Sequence, residues 1–237
     1  MTLFLYYHPF SSFCQKALIA LYEKEVAFQP YEVDLGDERA HAELAALWPH
    51  AKFPVLHDMA AQVTLPESSA IIEYVDCLSD AGPRLIPEKP ADARTVRLWD
   101  RILDNYLHVP MQKIVGDRLR PEGKGDAYGV AEARATIATT YDLLNRRLGD
   151  TGWLGGSEFS IADCAAAPPL FYASKLAPFG STHPRLAAYF NRLMKRPSFA
   201  RCVEEARHFR PYFPGGPGDA GWPDEIEAGG DGPRVAF

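Results

Sequence analysis

The chain has 237 residues, of which 47% are hydrophobic and 24% charged, a balance typical of globular proteins. Its length allows one large domain or two smaller ones, and no apolar run reaches the ~18 residues of a membrane span. The formal net charge of -6 argues against nucleic-acid binding, which needs a basic surface, so neither nucleic acid nor a membrane is an expected partner.

The first 80 residues alternate short β-rich runs with helical stretches. Residues 3–7 form a strand that Pro9 ends, and this pattern differs from that of a signal peptide. Apolar side chains at helical spacing then predict a helix at 12–24. The later elements are a strand at 28–33, a helix at 38–47, strands at 55–57 and 63–65, and a helix at 68–78. The order is β-α-β-α-β-β-α, and two strands joined through a helix should pair in parallel.

The second part of the chain reads as helical. A domain at 1–80 is followed by a Pro- and Gly-rich linker at 81–90 and a helical domain at 91–210. The predicted helices are 91 to about 120, with a bend at Pro110, then 126–148, 160–175 and one or two within 184–207. The tail, 211–237, has the Gly- and Pro-dense composition of disordered chain. Trp222 and Phe237 are its candidate anchors.

The four cysteines are scattered along the chain. Their spacing fits neither a metal site nor a disulfide framework, so we expect no metal. A reducing cytoplasm is the simplest setting for such a protein. The cysteines are Cys14, Cys77, Cys164 and Cys202.

Four local motifs follow one another in this pattern of elements. They are Ser11-x-x-Cys14 after the first strand, "WPHAKFPVL" at 48–56, "LPESSAIIEYV" at 65–75 and "FSIADCAAAP" at 159–168. Together they resemble the soluble glutathione transferases over residues 1 to about 210, and the chain is identified as a serine-type bacterial member of that superfamily. The resemblance implies an α/β thioredoxin-like N-terminal domain followed by an all-α helical bundle. Where the family usually has Asn, Gly and Val in the second motif, this chain has Trp48, Ala51 and Phe53.

The resemblance implies that glutathione is the cosubstrate and that Glu67-Ser68 binds its γ-glutamyl end. Ser68 would begin a helix, where free N–H groups and the helix dipole favour a carboxylate. Glu67 would accept a hydrogen bond from the α-ammonium group. Ser68 is alternatively an ordinary N-cap, and the two roles are compatible.

The resemblance also implies a cis peptide bond before Pro54, which occurs at about 5–6% of X-Pro bonds. The backbone of Phe53 would then pair with the cysteinyl backbone of the ligand as an added strand does. Lys52 would reach the glycyl carboxylate. Arg39 and His41, in the preceding helix, either assist or lie on a solvated helix face.

Ser11 aligns with the catalytic Ser or Cys of the serine- and cysteine-type transferases. The resemblance implies that its hydroxyl donates to the glutathione sulfur and stabilises the thiolate. Ser12 could donate instead or cap the helix, and Tyr6 lies where tyrosine-type transferases keep their donor. Cys14 falls on the apolar side of the first helix, so we expect a buried, inert thiol. A serine at position 11 cannot form a mixed disulfide with glutathione, which disfavours reduction chemistry.

The implied reaction is attack of the bound thiolate on a small hydrophobic electrophile, in conjugation, dehalogenation or isomerisation. A non-catalytic binding or assembly module is the alternative, and a homodimer is expected from the resemblance. Ser160 and Asp163 form a helix-capping pair that we interpret as structural. The electrophile would bind between the domains, against wall residues that could equally be core. These candidates are Phe10, Phe13, Tyr106, Leu107 and Met111.

Overall fold

The N-terminal part of the chain folds as a four-stranded sheet with three helices. The computed structural model describes residues 2–34, 36–149 and 152–226. The elements run in the predicted β-α-β-α-β-β-α order. They are β1 (Leu3–Tyr7), α1 (Ser12–Glu23), β2 (Gln29–Glu32), α2 (Glu38–Leu47), β3 (Val55–Asp58), β4 (Val63–Pro66) and α3 (Ser68–Leu78).

The sheet has the strand order β2-β1-β3-β4. β1 and β2 are parallel, as predicted, whereas β3 runs antiparallel to both of its neighbours. Tyr6 is paired with Val55, and Val55 with Pro66, so these three residues form one row across the sheet. The chain therefore leaves β1, enters β3 and leaves β4 at the same sheet edge, where α1 and α3 both begin.

The C-terminal part of the chain is helical, as predicted. A π-helical turn, Asp104–His108, joins two of its helices, and a 3₁₀ helix, Arg207–Tyr212, follows the last long one. The α-helices are α4 (Pro90–Leu103), α5 (Val109–Arg118), α6 (Ala127–Arg147), α7 (Ile161–Leu176), α8 (Pro184–Met194), α9 (Pro197–Glu205) and the short α10 (Pro223–Ile226).

The predicted helix at 91–120 is interrupted one turn before Pro110. Pro110 has no N–H to donate to the carbonyl of Tyr106, four residues earlier. The Thr140 hydroxyl on α6 donates to that carbonyl instead, at 2.8 Å. The backbone irregularity predicted at Pro110 therefore takes the form of the π turn that precedes it.

Both parts of the chain share one hydrophobic core, in which α1 packs against α3, α7 and α9. A buried ion cluster adds a polar link between them. The Lys16 Nζ on α1 lies 2.6 Å from Asp100 Oδ1 and 2.8 Å from Asp104 Oδ1, and it donates to the Ser69 hydroxyl on α3. Because a buried charge is costly without partners, this cluster holds α1, α3 and α4 in a fixed relation.

The Ser160 and Asp163 side chains form a capping box at the start of α7, which confirms the structural role predicted for them. Asp163 is fully buried and also accepts from the Tyr189 hydroxyl at 2.6 Å. No helix in the described ranges is both long and apolar enough to cross a bilayer.

The tail is packed as far as residue 224, so composition alone misjudges this part. Trp222 is 8% exposed and lies against α7, which confirms it as an anchor. Phe237 lies outside the described residues. The domain limits at 80 and 91 stay a prediction, since the shared core does not test them.

Candidate active site

A cleft of about 570 Å³ opens at the sheet edge where β1 ends and β3 begins. The side at this sheet edge holds His8, Phe10 and Ser11 from the β1–α1 connection, together with Ser12 at the start of α1. Phe53 and two residues after β2 complete that side. The helical part and the tail supply the opposite, mostly apolar side. Those described lining residues are Met111, Gln112, Val115, Gly116, Leu119, Tyr172, Tyr212, Phe213 and Pro214.

Ser11 is half-buried in the cleft and is the N-cap of α1. Its Oγ accepts from the Cys14 backbone N–H at 3.4 Å, a long bond for a cap. A hydroxyl has two lone pairs and one hydrogen, so capping leaves the hydrogen available to a ligand. Ser11 can therefore both begin the helix and donate into the cleft.

Ser12 differs from its neighbour because its hydroxyl is tied to the helical part. Its Oγ lies 2.5 Å from His108 Nε2 and 3.5 Å from the Gln112 side-chain nitrogen, and Ser12 is only 5% exposed. Burial, with a smaller contribution from the Lys16 charge, lowers the pKa of His108 well below its usual value. A neutral His108 stacked on Phe13 therefore holds Ser12 in place.

Tyr6 and Cys14 both lie away from the cleft lining. Tyr6 packs against Tyr31 and the small core beneath α2, with 4.8 Å between the two ring centroids. Burial, and then the Glu43 charge, raise the pKa of Tyr6. Cys14 is fully buried, and burial raises its pKa to about 12, although the adjacent Ser11 side chain and the hydrogen bond from the His8 backbone N–H act in the opposite direction. The thiol of Cys14 is therefore inert, as predicted.

His8 also lines the cleft, between the rings of Phe53 and Phe209. Its Nδ1 accepts from the Phe10 backbone N–H at 3.1 Å, so a neutral ring carries its proton on Nε2. Burial lowers the pKa of His8, although Glu32 and Asp34 act in the opposite direction. The cleft thus contains a second neutral side chain that can donate a hydrogen bond.

The two other motif segments lie at the same sheet edge. The Phe53-Pro54 peptide bond is cis, as the resemblance implies. Glu67 follows β4 with a φ of 71°, a backbone conformation that residues other than glycine adopt rarely. It is exposed, whereas Ser68 at the N-terminus of α3 is 4% exposed. Such strained backbone is often found at functional sites.

The predicted glutathione-binding residues Lys52, Arg39 and His41 are not among the residues that line the cleft. Lys52 precedes Phe53 at the cleft edge and is exposed. Arg39 has its side chain 87% exposed and pairs with Glu43 on the same helix at 3.0 Å, and His41 is exposed as well. Neither Arg39 nor His41 lines the cleft, so both lie on the solvated face of α2.

Two of the five candidate wall residues, Phe10 and Met111, line the cleft. Phe13 stacks on His108 instead, with 3.6 Å between ring centroids. Leu107 is fully buried in the core, and Tyr106 is 55% exposed on the outer side of the π turn. Helical periodicity explains why Tyr106 and Leu107 do not line the cleft, because only one side of the segment 104–115 faces it. The π turn adds to this by changing which residues of the segment lie on that side.

Two family models match the chain. The model of the glutathione S-transferase N-terminal domain covers residues 5–83, and that of the glutathione S-transferase C-terminal domain covers residues 127–192. The chain belongs to the glutathione S-transferase family. Its fold class and its superfamily, both predicted from the sequence, are confirmed. The serine-type bacterial subtype stays a prediction.

Similar proteins come from plants and bacteria. The chain is 25% identical over 205 residues to glutathione S-transferase PARB of Nicotiana tabacum, covering 83% of this chain and 95% of that protein. A solved glutathione S-transferase from Methylobacillus flagellatus with GSH bound has 25% identity and a TM-score of 0.77, covering 85% of this chain and 98% of that one. One from Methylobacterium radiotolerans, in complex with glutathione sulfonate, has 28% identity and a TM-score of 0.74, covering 86% and 95%.

Sequence reasoning missed several cleft residues. His8 could have been found, because it immediately precedes the turn that carries Ser11. His108 and Gln112 carry no local signal, since only the packing of α1 on the helical part brings them to Ser12. Tyr212, Phe213 and Pro214 lie in the tail that composition marks as disordered. Within the described residues, no group of His, Cys, Asp and Glu side chains could hold a metal ion.

Proposed function

We propose that this protein is a glutathione transferase that activates the thiol of bound glutathione for attack on a small hydrophobic electrophile. One observation carries the proposal. A half-buried serine at the N-terminus of α1, with its hydroxyl hydrogen available, shares a cleft with Phe53 on one side and an apolar surface on the other. The family membership and the relatives with GSH or glutathione sulfonate bound support the choice of ligand.

Glutathione would bind along the sheet edge. The N-terminus of α3, with Ser68, would bind the γ-glutamyl carboxylate, and Glu67 the α-ammonium. The Phe53 backbone would pair with the cysteinyl backbone of the ligand, and Lys52 would pair with the glycyl carboxylate. The sulfur would then lie near Ser11, because the β1–α1 turn and the start of β3 are neighbours in the sheet.

Ser11 would stabilise the thiolate. A thiol with an ordinary pKa of ~8.5 needs about 2.7 kcal/mol of preference for the anion to shift by about 2 units. A hydrogen bond to a charged group supplies ~1.5–3 kcal/mol, and a helix N-terminus adds ~0.3–1 kcal/mol. One hydroxyl at the start of α1 is therefore sufficient in magnitude.

The chemical step proceeds without a covalent bond to the protein. The thiol proton leaves to solvent, and the thiolate sulfur forms a bond to the electrophilic carbon. With a halide substrate, the carbon–halogen bond breaks and the halide departs with the electron pair. Conjugation, dehalogenation and isomerisation share the attack by the thiolate, so we propose this common step. The shape of the cleft determines which electrophile can reach the thiolate.

The test is a titration of glutathione bound to the protein, followed by the ultraviolet absorbance of the thiolate. The proposal predicts a pKa about 2 units below that of free glutathione. A bound thiol with an unshifted pKa would contradict catalysis and favour a non-catalytic binding module. As a check on the binding mode, Ser68→Ala should weaken glutathione binding about tenfold while leaving the pKa of the thiol shifted.

We further propose a cytoplasmic homodimer. A groove of about 800 Å³ runs along α3 and α4, away from the cleft, and it is lined by Cys77, Leu98 and several charged residues. Leu98 is 55% exposed, which suits a surface covered by a second copy. Light scattering coupled to size exclusion should give twice the monomer mass, and Leu98→Glu should shift it towards the monomer. A monomeric wild-type protein would overturn the dimer alone.

A further inference from the structure

The β1–α1 turn, residues 8–11, brings Ser11 to the start of α1. Two hydrogen bonds lie within the turn itself: the Ser11 N–H donates to the His8 carbonyl at 3.0 Å, and the Phe10 N–H donates to His8 Nδ1 at 3.1 Å. Pro9 is buried and Phe10 half-buried, so the carbonyls of these two residues need partners as well. Neither carbonyl is bonded within the turn, and both obtain a side-chain donor from outside it.

Gln15, in the first turn of α1, supplies the donor for Pro9. Its Nε2 donates to the Pro9 carbonyl at 2.9 Å and to the Tyr172 hydroxyl oxygen at 3.1 Å. Because a carbonyl can only accept, the nitrogen of the amide must face it, and both hydrogens of this nitrogen are then used. Gln15 is fully buried, so water cannot replace these partners.

Tyr172 on α7 supplies the donor for Phe10. Its hydroxyl donates to the Phe10 carbonyl at 3.1 Å, and its ring meets the edge of the Phe10 ring with 5.5 Å between centroids. Burial raises the pKa of Tyr172, although the hydrogen bond from Gln15 acts in the opposite direction, so the hydroxyl keeps its hydrogen. The helical part of the chain therefore holds the turn directly through one buried hydroxyl.

These bonds fix the direction of the Ser11 side chain. A peptide unit is planar, so bonds to its C=O and its N–H determine its orientation. The unit before Ser11 is held by Tyr172 at its carbonyl and by the His8 carbonyl at its N–H. The unit after Ser11 is held because the Ser11 carbonyl accepts from the Gln15 backbone N–H at 2.9 Å. With both units fixed, the side chain of Ser11 is held towards the cleft that it lines.

We infer that Gln15 and Tyr172 are positioning residues for the reaction, because they hold the β1–α1 turn in the one conformation that directs the Ser11 hydroxyl at the sulfur of glutathione. This inference rests on the proposed function, since it assigns these two residues an effect on the thiolate through Ser11. Neither residue contacts the reacting atoms. Loss of either donor leaves a carbonyl of the turn without its partner, so the turn relaxes and the hydroxyl of Ser11 moves away from the sulfur.

The test is the ultraviolet titration of glutathione bound to Tyr172→Phe, which removes one hydroxyl and keeps the ring in place. The pKa of the bound thiol should rise by about 0.5–1 unit, roughly half of the rise expected when the Ser11 hydroxyl is deleted. Glutathione affinity measured below the pKa of the bound thiol should not change, because the segments at Phe53 and Ser68 are untouched. An effect confined to the thiolate is not expected of a residue that only stabilises the fold.

Two further variants test the route through the turn. Gln15→Met keeps a similar volume but cannot donate to the Pro9 carbonyl, so it should raise the pKa of the bound thiol in the same direction. Tyr172→Phe combined with Ser11→Ala should raise this pKa no further than Ser11→Ala alone, because a positioning residue has no effect once the group that it positions is gone.

Tyr141→Phe is the matched control. Tyr141 on α6 is also buried, and its hydroxyl also donates to a backbone carbonyl, that of Ala177 at 3.2 Å, at the end of α7 and not in the turn. This variant therefore loses the same kind of bond from the same kind of site. It should lower the midpoint of urea unfolding about as much as Tyr172→Phe does, and it should leave the pKa of the bound thiol unchanged.

The outcomes separate the two proposals. If glutathione does not bind, or if its thiol has an unshifted pKa in the wild-type protein, the proposed function fails and the inference fails with it. If the wild-type pKa is shifted but Tyr172→Phe and Gln15→Met both keep the full shift, only the inference is overturned. The same holds if Tyr141→Phe raises the pKa as much as Tyr172→Phe, or if Tyr172→Phe raises it further in the absence of the Ser11 hydroxyl.

Discussion

Removal of the Ser11 hydroxyl is the most direct perturbation of the proposed chemistry. Ser11→Ala deletes a hydrogen bond to the thiolate worth ~1.5–3 kcal/mol, which corresponds to a rise of about 1–2 units in the pKa of bound glutathione. Glutathione affinity should change little near neutral pH, because the other contacts remain. The variant also loses the cap on the Cys14 N–H. At 3.4 Å this bond is long, so the cost in unfolding free energy should fall near the low end of ~0.5–2 kcal/mol.

The assay is the ultraviolet titration of bound glutathione, performed on matched variants. Ser11→Thr keeps the hydroxyl and should keep most of the shift. Ser12→Ala deletes a hydroxyl one residue away, but that hydroxyl is held by His108, so the pKa of the thiol should not move. Tyr6→Phe should be silent too, since Tyr6 lies beneath α2. A silent Ser11→Ala combined with a raised pKa in Ser12→Ala or Tyr6→Phe would refute the assignment.

Three further predictions test the surrounding structure. A disulfide reagent should leave Cys14, Cys164 and Cys202 unmodified in the native protein and modify all four thiols after unfolding, because these three are buried within the chain; reaction of any of the three in the native protein would contradict that burial. Lys16→Met leaves the buried carboxylates of Asp100 and Asp104 with Arg101 as their remaining cation, and it should lower the unfolding free energy by about 3 kcal/mol, the low end for a broken buried pair, in urea denaturation. Arg97→Gln, which breaks the exposed pair with Glu73, should lower the unfolding free energy by less than about 1 kcal/mol. Equal losses in Arg97→Gln and Lys16→Met would contradict the stabilising role assigned to the buried ion cluster. Since the unfolded chain takes up a proton on His108 near pH ~6.5 while the folded one does not, the unfolding free energy should fall as the pH drops below that value. His108→Phe should flatten this slope, and an unchanged slope would mean that other groups cause it.

The fold was predictable because its signals are local. Apolar periodicity separates the strands from the helices, and Pro110 marks the irregularity in the helical part. The caps at Ser11 and Ser160 follow from side chains that accept from N–H groups three residues ahead. The three motif segments of the N-terminal part were assigned to one site through the family resemblance, and the antiparallel pairing of β3 with β1 and β4 brings them to one edge of the sheet.

The details of the cleft were less predictable because they depend on contacts between distant residues. Tyr106 and Leu107 have the residue types of a cleft wall, but the π turn directs them away from the cleft. Phe13 is predicted to line the electrophile site, yet it stacks on a histidine 95 positions later in the chain. A one-residue change in position rotates a helical side chain by about 100°, so a motif does not specify which neighbour it faces.

The order of the elements, the family and the segments that form the sheet edge can all be read from the sequence, because each is encoded in residue types at fixed short spacing. The difference between Ser11 and Ser12 arises only from tertiary packing. Both are serines at the start of one helix, and they differ because His108 and Gln112 reach Ser12 from the helical part. The order of the tail has the same origin. Its Gly- and Pro-rich composition supplies little local order, but Arg118, Lys175 and the aromatic residues around Trp222 hold it as a wall of the cleft.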